Sequence, residues 1–216
     1  MFNKNITRLT VGLIATNCWI CPLNAEEAAI IDPGDEADKI RSALDKLSLC
    51  PSYILITHGH FDHIAAVPHL KNYYQEKTKI AIHRLDSKYL GTDSYNTHNI
   101  SIKSALGSAD YLDAMWNDMP QPDILLDEGS IIGPFTVLHL PGHSQGSAAF
   151  WDKETGIIFT GDTLFKSGYG RTDLPDGNEK QLFASLKRLC SMDPEIKVYP
   201  GHGGTTTIGR EANTFL

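Results

Sequence analysis

Short apolar segments alternate along the chain with amphipathic stretches and with turns rich in proline and glycine. Most of these segments are brief enough to be strands rather than helices. They predict nine β-strands, at residues 6–12, 16–23, 27–32, 53–56, 79–83, 135–140, 147–152, 156–162 and 196–202. Three longer stretches with apolar residues at helical spacing predict helices at 33–47, 63–77 and 179–192. Interleaved strands and helices predict an α/β fold built in layers.

Two places interrupt this regular alternation. Pro68 lies in the early turns of the second predicted helix and is expected to disturb it. Residues 84–120 are harder to assign, because 90–101 is polar and loop-like whereas 102–116 shows some helical periodicity. We expect this segment to be a surface excursion close to the functional site.

The composition is that of an ordinary globular protein and narrows the choice of partners. The chain has 216 residues, 41% hydrophobic and 21% charged, and we predict a single domain over residues 1–216. With 19 Lys and Arg against 26 Asp and Glu, the net charge is −7, which argues against a nucleic-acid partner. No run of about 18 apolar residues predicts a membrane span, and no signal peptide is recognisable. We expect a cytoplasmic protein without a membrane partner.

The cysteines give little sign of a redox or zinc site. Cys18 and Cys21 form the motif CWIC, but this segment is strand-like, and residues three apart on a strand face opposite sides. No second C-x-x-C is present to complete a zinc site. We expect both side chains to be packed in the interior.

The heptapeptide THGHFDH (57–63) places three imidazoles and a carboxylate directly after the apolar strand YILI. Packing does not explain this, because buried polar groups cost free energy unless a partner satisfies them. Imidazole and carboxylate are metal ligands, and their close spacing after a buried strand indicates a metal site. The predicted ligands are His58, His60, Asp62 and His63.

Three more predicted strands end near a histidine or aspartate that follows a glycine. These residues are His143 in PGHS, Asp162 in TGD and His202 in PGH. Glycine lets the chain turn sharply, and open α/β sheets place their sites at strand ends, so we expect all seven side chains to meet there. The remaining histidines have no such context and are expected to be structural or at the surface: His69, His83, His98 and His139.

Five histidines and two aspartates exceed the ligands of one tetrahedral ion, and they suit two ions that share a carboxylate. Neutral imidazole and carboxylate bind zinc, iron or manganese, and the affinity order of the late metals makes zinc the default. The absence of a cysteine ligand disfavours a purely structural zinc protein, which is the non-enzymatic alternative. We therefore predict two divalent transition-metal ions, zinc first, with iron or manganese as alternatives.

The motifs THGHFDH, PGHS, TGD and PGH, in this order, resemble the four metal-binding motifs of the metallo-β-lactamase superfamily. The resemblance covers nearly the whole chain and implies an αββα sandwich with the metal site at one edge of the two sheets. It also implies a ligand set for each metal: His58, His60 and His143 for the first, and Asp62, His63 and His202 for the second, with Asp162 bridging.

Within the superfamily, the segment GDTLFKSGYGRTDLPDG (161–177) is similar to the glyoxalase II-like branch, and GRTDLP to its short bacterial members. This resemblance implies hydrolysis of a thioester such as hydroxyacylglutathione by a metal-bridging hydroxide, with Asp62 as the catalytic residue that orients it. It also implies that Tyr169 and Arg171 bind this small-molecule substrate. Full-length members carry basic glutathione-binding residues in a C-terminal helical domain, and Arg210 is the candidate to replace them in part.

Two other chemistries stay open at this point. Persulfide dioxygenases share GRTD and use a single iron, held by residues that correspond to His58, His143 and Asp162. Other members of the same fold hydrolyse esters, lactones or lactams. Oxygen uptake and metal content discriminate the dioxygenase from the hydrolases.

Overall fold

In a computed structural model, which describes residues 5–215, twelve β-strands form two six-stranded sheets. The first sheet consists of β1 (Thr7–Val11), β2 (Thr16–Pro22), β3 (Glu27–Ile31), β4 (Cys50–Ile56), β5 (Lys79–His83) and β6 (Ile124–Leu126). The second consists of β7 (Ile131–Ile132), β8 (Phe135–His139), β9 (Ala148–Asp152), β10 (Ile157–Gly161), β11 (Lys197–Pro200) and β12 (Thr206–Thr207). In both sheets the strands lie side by side in chain order. Strands β3 to β6 are parallel, as are β10 and β11, and the other pairs are antiparallel.

Helices cover the outer face of each sheet. They are α1 (Ala37–Leu47), α2 (Phe61–Ile64), α3 (Val67–Tyr74), α4 (Ser94–Leu106), α5 (Asp110–Met115), α6 (Glu179–Cys190) and α7 (Ile208–Phe215), with 3₁₀ helices at Gln75–Lys77 and Arg84–Tyr89. Helices α1 to α5 pack on the first sheet, and α6 and α7 pack on the second. None of the helices within residues 5–215 is long and apolar enough to cross a membrane.

A third apolar layer lies between the two sheets. Trp19 and Leu55 of the first sheet meet Phe150 and Phe159 of the second there. Because the central strands are covered on both faces, most of their residues are apolar, and β2 is buried at all seven positions. The αββα sandwich implied by the sequence resemblance is therefore confirmed.

The two cysteines of CWIC lie on opposite faces of β2, as predicted. Cys18 packs among the helices on the outer side of the sheet, and Cys21 packs in the layer between the sheets. Both are fully buried. Burial raises the pKa of the Cys18 thiol far above its ordinary value, so this thiol is a core side chain and not a reactive group.

The structure corrects the predicted helix over residues 63–77. The chain forms two helices here, because α2 ends at Ile64 and α3 begins at Val67. Pro68 occupies the first turn of α3, where its missing N–H is not needed, so it starts a helix rather than disturbing one. The expected excursion at 84–120 contains one of the 3₁₀ helices and helices α4 and α5.

Candidate metal centre

The loops that follow four strands meet at one edge of the sandwich. The first sheet contributes the loop after β4, which begins at Thr57 and contains the HGHFDH cluster. The second sheet contributes His143 after β8, Asp162 after β10 and His202 after β11. The structure thus brings together all seven residues that the sequence predicts as metal ligands.

Three imidazoles form one half of the cluster, which we call the first triplet: His58, His60 and His143. Their nitrogens lie within 4.8 Å of one another, and all three side chains are buried. His143 Nε2 is 2.8 Å from His60 Nδ1 and 3.2 Å from His58 Nε2. Neighbouring ligands of a tetrahedral zinc ion lie roughly 3.3 Å apart, so this spacing suits a small divalent metal.

The other half of the cluster, the second triplet, contains Asp62, His63 and His202. Asp62 Oδ2 lies 3.3 Å from His63 Nε2 and 3.4 Å from His202 Nε2. The Asp162 carboxylate lies between the triplets, with Oδ1 3.4 Å from His63 Nε2 and Oδ2 3.6 Å from His143 Nε2. Asp162 is thus placed where a shared carboxylate between two ions would stand.

The triplets differ in their electrostatic surroundings. Burial, together with the nearby charge of His63, holds the pKa of His58 well below its ordinary value, and burial lowers the pKa of His60 to about 3. Burial also opposes a charge on His63, but the carboxylates Asp62 and Asp162 outweigh it and hold its pKa well above the ordinary value. His58 and His60 are therefore neutral imidazoles. In the second triplet, the negative charges of Asp62 and of the neighbouring Asp162 favour a bound cation, either a proton or a metal ion.

Hydrogen bonds fix the ring orientation of three histidines so that one nitrogen of each faces the cluster. His63 Nδ1 donates to Asp32 Oδ2 at 3.0 Å, and His143 Nδ1 donates to the Arg171 carbonyl at 2.7 Å. His58 Nδ1 lies 3.1 Å from the Thr57 hydroxyl, which itself donates to Asp32. A histidine that donates through Nδ1 presents the lone pair of Nε2, which is the arrangement of metal-binding histidines.

Two buried polar atoms support the same assignment. His63 Nε2 and Asp162 Oδ1 are buried and have no hydrogen-bond partner among residues 5–215. An unsatisfied buried polar atom costs about 1–3 kcal/mol, and a metal ion would satisfy both. The donor set, its spacing and these two atoms fit divalent transition metals.

Glycines next to the ligands allow the close approach of these loops. A Cβ at Gly201 would lie 2.1 Å from Asp162 Oδ1 and 2.7 Å from His63 Cε1, so only glycine fits beside His202. Gly161, before Asp162, has φ +50°, a conformation that other residues rarely adopt. A sharp turn is the role predicted from the sequence for both glycines, and at Gly201 the structure gives close packing as the reason.

Two aspartates at the centre were not identified from the sequence. Asp32 is buried directly after β3, and besides His63 and the Thr57 hydroxyl it accepts the Thr57 N–H at 2.8 Å. Asp86 is fully buried in a 3₁₀ helix and joins two loops, since it accepts from Gly59 N, Gly146 N and Ser144 Oγ at 2.6–2.9 Å. Asp32 follows the strand-end pattern that marked the ligands, whereas no sequence pattern marks Asp86.

The three predicted substrate-binding residues lie in different surroundings. Arg171 lines the cleft beside the cluster, and its guanidinium forms a two-bond ion pair with Asp173 at 2.6 and 2.7 Å. The Tyr169 ring packs against Phe183 of α6 at a centroid distance of 5.3 Å. Arg210 lies on α7, where its side chain is 61% exposed. A role in substrate binding stays a prediction for all three.

A cleft of about 530 Å³ opens over the cluster of predicted ligands. Its polar floor is formed by predicted ligands of both triplets and by Asp162. Its walls come from the turn between β1 and β2, from α4 and α5, and from the segment 165–174. This volume is typical of a site for a small molecule.

Comparison with known proteins extends the likeness over the whole chain. A sequence model of the metallo-beta-lactamase superfamily matches residues 11–202. The chain is 33% identical over 222 residues to the hydroxyacylglutathione hydrolase GloC of Haemophilus influenzae, and the match covers 98% of each protein. Among solved structures it is similar to TTHA1623 in a di-iron-bound form, with a TM-score of 0.80, 39% identity and coverage of 96% of this chain and 98% of that one. It is also similar to the B3 metallo-beta-lactamase BLEG-1, with a TM-score of 0.82, 32% identity and 96% coverage of each chain.

Proposed function

The chain belongs to the metallo-beta-lactamase superfamily, and on that premise we propose that it is a metal-dependent hydrolase of thioesters, with acylglutathiones as the substrate class. The observation that carries the proposal is the pair of ligand triplets joined by Asp162 on the floor of a small-molecule cleft. The choice of thioesters is supported by the full-length similarity to a hydroxyacylglutathione hydrolase. We further propose two ions per chain, with zinc as the default and iron or manganese as alternatives.

Different side chains would bind the metal ions and orient the attacking water. Bound divalent ions would supply an acidic water and positive charge beside the substrate carbonyl. Asp62 is held by a hydrogen bond from Thr16 Oγ1 at 2.9 Å, and a carboxylate fixed in this way can orient a water by accepting its proton in a hydrogen bond. Burial raises the pKa of Asp62, but the nearby charge on His63 and a hydrogen bond from His202 keep it well below the ordinary value. Asp62 is therefore ionised at neutral pH.

A thioester suits a site without a dedicated general acid. In its hydrolysis a C–O bond forms from water and the C–S bond breaks, which gives a carboxylate and a thiol. A thiol has a pKa of about 8.5, so it can leave as a thiolate without first receiving a proton. An amide nitrogen needs a proton in order to leave, and so the same site favours thioesters over amides.

Arg171 is our candidate for binding the glutathione part. Glutathione carries carboxylates, and an arginine can hold a carboxylate through two parallel hydrogen bonds. Arg171 already makes this kind of contact with Asp173. We propose that a substrate carboxylate competes for the same guanidinium.

Lactam hydrolysis is the second candidate. It is favoured by the similarity of this chain to BLEG-1, a B3 metallo-beta-lactamase, with 32% sequence identity and a TM-score of 0.82. The two candidates share the metal centre and differ in the leaving group, so substrate assays separate them.

The test uses protein loaded with Zn²⁺ or Fe²⁺ and three parallel assays. These measure thiol release from an acylglutathione, ring opening of a β-lactam and oxygen uptake with glutathione persulfide. We expect thiol release that stops when the metal is chelated. Ring opening without thiol release would favour the lactamase, and oxygen uptake without thiol release would favour the dioxygenase.

A further inference from the structure

We propose that the preferred acyl group is an apolar chain of medium length, bound along one wall of the cleft, rather than a small hydroxyacyl group. This inference rests on the proposed thioester hydrolysis and names the substrate more closely. We call this surface the apolar wall: Leu13, Ile14, Ile102, Ala105, Leu106 and Tyr111.

The apolar wall exposes several large apolar side chains to water. Leu13 is 82% exposed and Ile14 60% exposed, both in the turn between β1 and β2, and Leu106 at the end of α4 is 62% exposed. Single exposed apolar residues are common, but a cluster around one cleft marks a binding site. These three exposed side chains contribute little to the hydrophobic core, and they would gain free energy from contact with an apolar ligand.

The apolar wall is continuous with the metal cluster. Phe61, which directly precedes Asp62, lines the cleft, and its ring lies 6.1 Å from that of Tyr111. Phe165 also lines the cleft, and its ring lies 5.9 Å from that of His202. A carbonyl placed at the cluster would therefore lie close to apolar rings.

The chemistry of the lining decides which end of the substrate lies on the wall. Among the described residues that line the cleft, Arg171 is the only lysine or arginine. The polar, charged glutathione part would lose hydrogen bonds with water on an apolar surface, whereas an acyl chain gains free energy there. We place the thiol part toward Arg171 and the acyl chain toward Leu13 and Leu106. A hydroxyl in place of a methyl group on the acyl chain would gain no such free energy from contact with that apolar surface.

The first test compares glutathione thioesters that share one leaving group and differ in the acyl chain: acetyl, lactoyl, butanoyl, hexanoyl and octanoyl. We expect kcat/KM to rise on the order of threefold for each added methylene up to hexanoyl. Lactoyl is expected to be a poorer substrate than butanoyl. Hydrolysis with a flat series, or with lactoyl preferred, would overturn this inference and leave the proposed function standing. Hydrolysis of none of the five would overturn both.

The second test uses a matched pair of exposed residues on α4. Leu106 lines the cleft and is 62% exposed, whereas Ile100 is 61% exposed and is not among the lining residues. Leu106→Ser is expected to lower the ratio of hexanoyl to acetyl kcat/KM about tenfold, and Ile100→Ser is expected to leave it unchanged. Neither substitution removes core packing, so both variants should fold.

The same pair decides whether a second copy of the chain covers the wall instead. In that case Leu106→Ser would change the sedimentation behaviour at assay concentration without changing the acyl preference. That outcome would overturn the proposal, as would equal changes of the acyl ratio in both variants.

Discussion

Asp62 is the side chain on which the proposed chemistry depends most. Asp62→Asn keeps the size of the side chain but removes the negative charge beside His63 and His202. We expect kcat to fall roughly 10²-fold or more, because both a ligand and the orientation of water are affected. Steady-state kinetics with metal-loaded protein measure this. The control is Asp38→Asn on α1, whose side chain is 93% exposed.

The fold is expected to survive Asp62→Asn, because the apolar layers do not include this residue. Far-UV circular dichroism checks this point. Turnover close to that of the unaltered protein would contradict the assigned role.

Arg171 is expected to affect binding of the substrate and not the chemical step. Arg171→Ala should raise KM for an acylglutathione by about tenfold or more, since a hydrogen bond to a charged group contributes about 1.5–3 kcal/mol. A small neutral thioester should be hydrolysed nearly as well as before. Arg188→Ala is the control, because Arg188 forms a similar exposed two-bond pair with Glu128. Equal losses on both thioesters would mean that Arg171 only shapes its loop.

His98 is expected to make stability depend on pH. It is buried against Phe61 and Trp116, and its Nε2 donates to the Tyr89 carbonyl at 2.9 Å. Burial lowers the pKa of His98 to about 4, against the smaller opposite effect of that hydrogen bond, whereas an unfolded histidine has a pKa of about 6.5. Between these values the unfolded state binds a proton that the folded state does not. Stability therefore falls as pH drops from about 6.5 to about 4, by on the order of 3 kcal/mol.

His98→Gln replaces the imidazole N–H with an amide N–H donor and removes the titration. We expect the variant to lose part of the dependence of its unfolding free energy on pH in this window, as measured by urea denaturation. Parallel pH profiles for the two proteins would contradict the assignment. His98 is buried rather than at the surface, which is the structural one of the two alternatives expected from the sequence.

The sequence identifies residues at the centre where a local pattern marks them. Each predicted ligand follows a strand, often after a glycine, and this pattern can be recognised without knowing which strands pair with each other. Asp32 also follows a strand, and the same rule would have found it. Asp86 acts through Gly59 and Ser144, which lie 27 and 58 residues away, and no local pattern indicates such contacts.

Among the elements, the 3₁₀ helix at Arg84–Tyr89 connects the loop after β4 to the loop after β8, and these two loops together supply the three histidines of the first triplet. Its Asp86 accepts from Gly59 in one loop and from Ser144 and Gly146 in the other. Burial raises the pKa of Asp86, and the hydrogen bonds that it accepts oppose that shift.

Asp86→Asn would place an amide N–H₂ against groups that already donate. We expect metal affinity to fall about 10–100-fold, as is usual when the partners that orient metal ligands are lost. Competition with a chelator measures this affinity. Asp127→Asn, at an exposed aspartate paired with Arg84, is the control and should leave it unchanged. Equal affinities in the two variants would contradict the connecting role of Asp86.

The sequence predicts the boundaries of helices and strands where hydrophobic periodicity is strong. It does not predict them where pairing with a neighbouring strand determines the element. Strands β6, β7 and β12 have only two or three residues each, too few to show a pattern, and they form because longer strands lie beside them. The split between α2 and α3 was missed because the apolar residues continue across it, while the ligands near Phe61 and the turn at Ala65 break the helix.

At the scale of the whole molecule, the sequence predicts layers but not the composition of each sheet. Strands β10 and β11 pair in parallel and are connected through α6. Which strands pair across such a connection depends on long-range packing, which no local sequence pattern shows. The αββα arrangement followed instead from the resemblance of four short motifs. Its consequence is that loops from two sheets meet at one edge, which lets ligands as far apart in the sequence as His58 and His202 share one cluster.

The most direct test of metal-dependent thioester hydrolysis is a titration of metal-free protein with Zn²⁺, in which thiol release from an acylglutathione and bound metal per chain are measured in the same samples. We expect no thiol release without metal and activity that rises until two ions are bound. Activity that is complete at one ion would contradict the binuclear centre. Thiol release from metal-free protein, or none at two ions per chain, would contradict the proposed function itself.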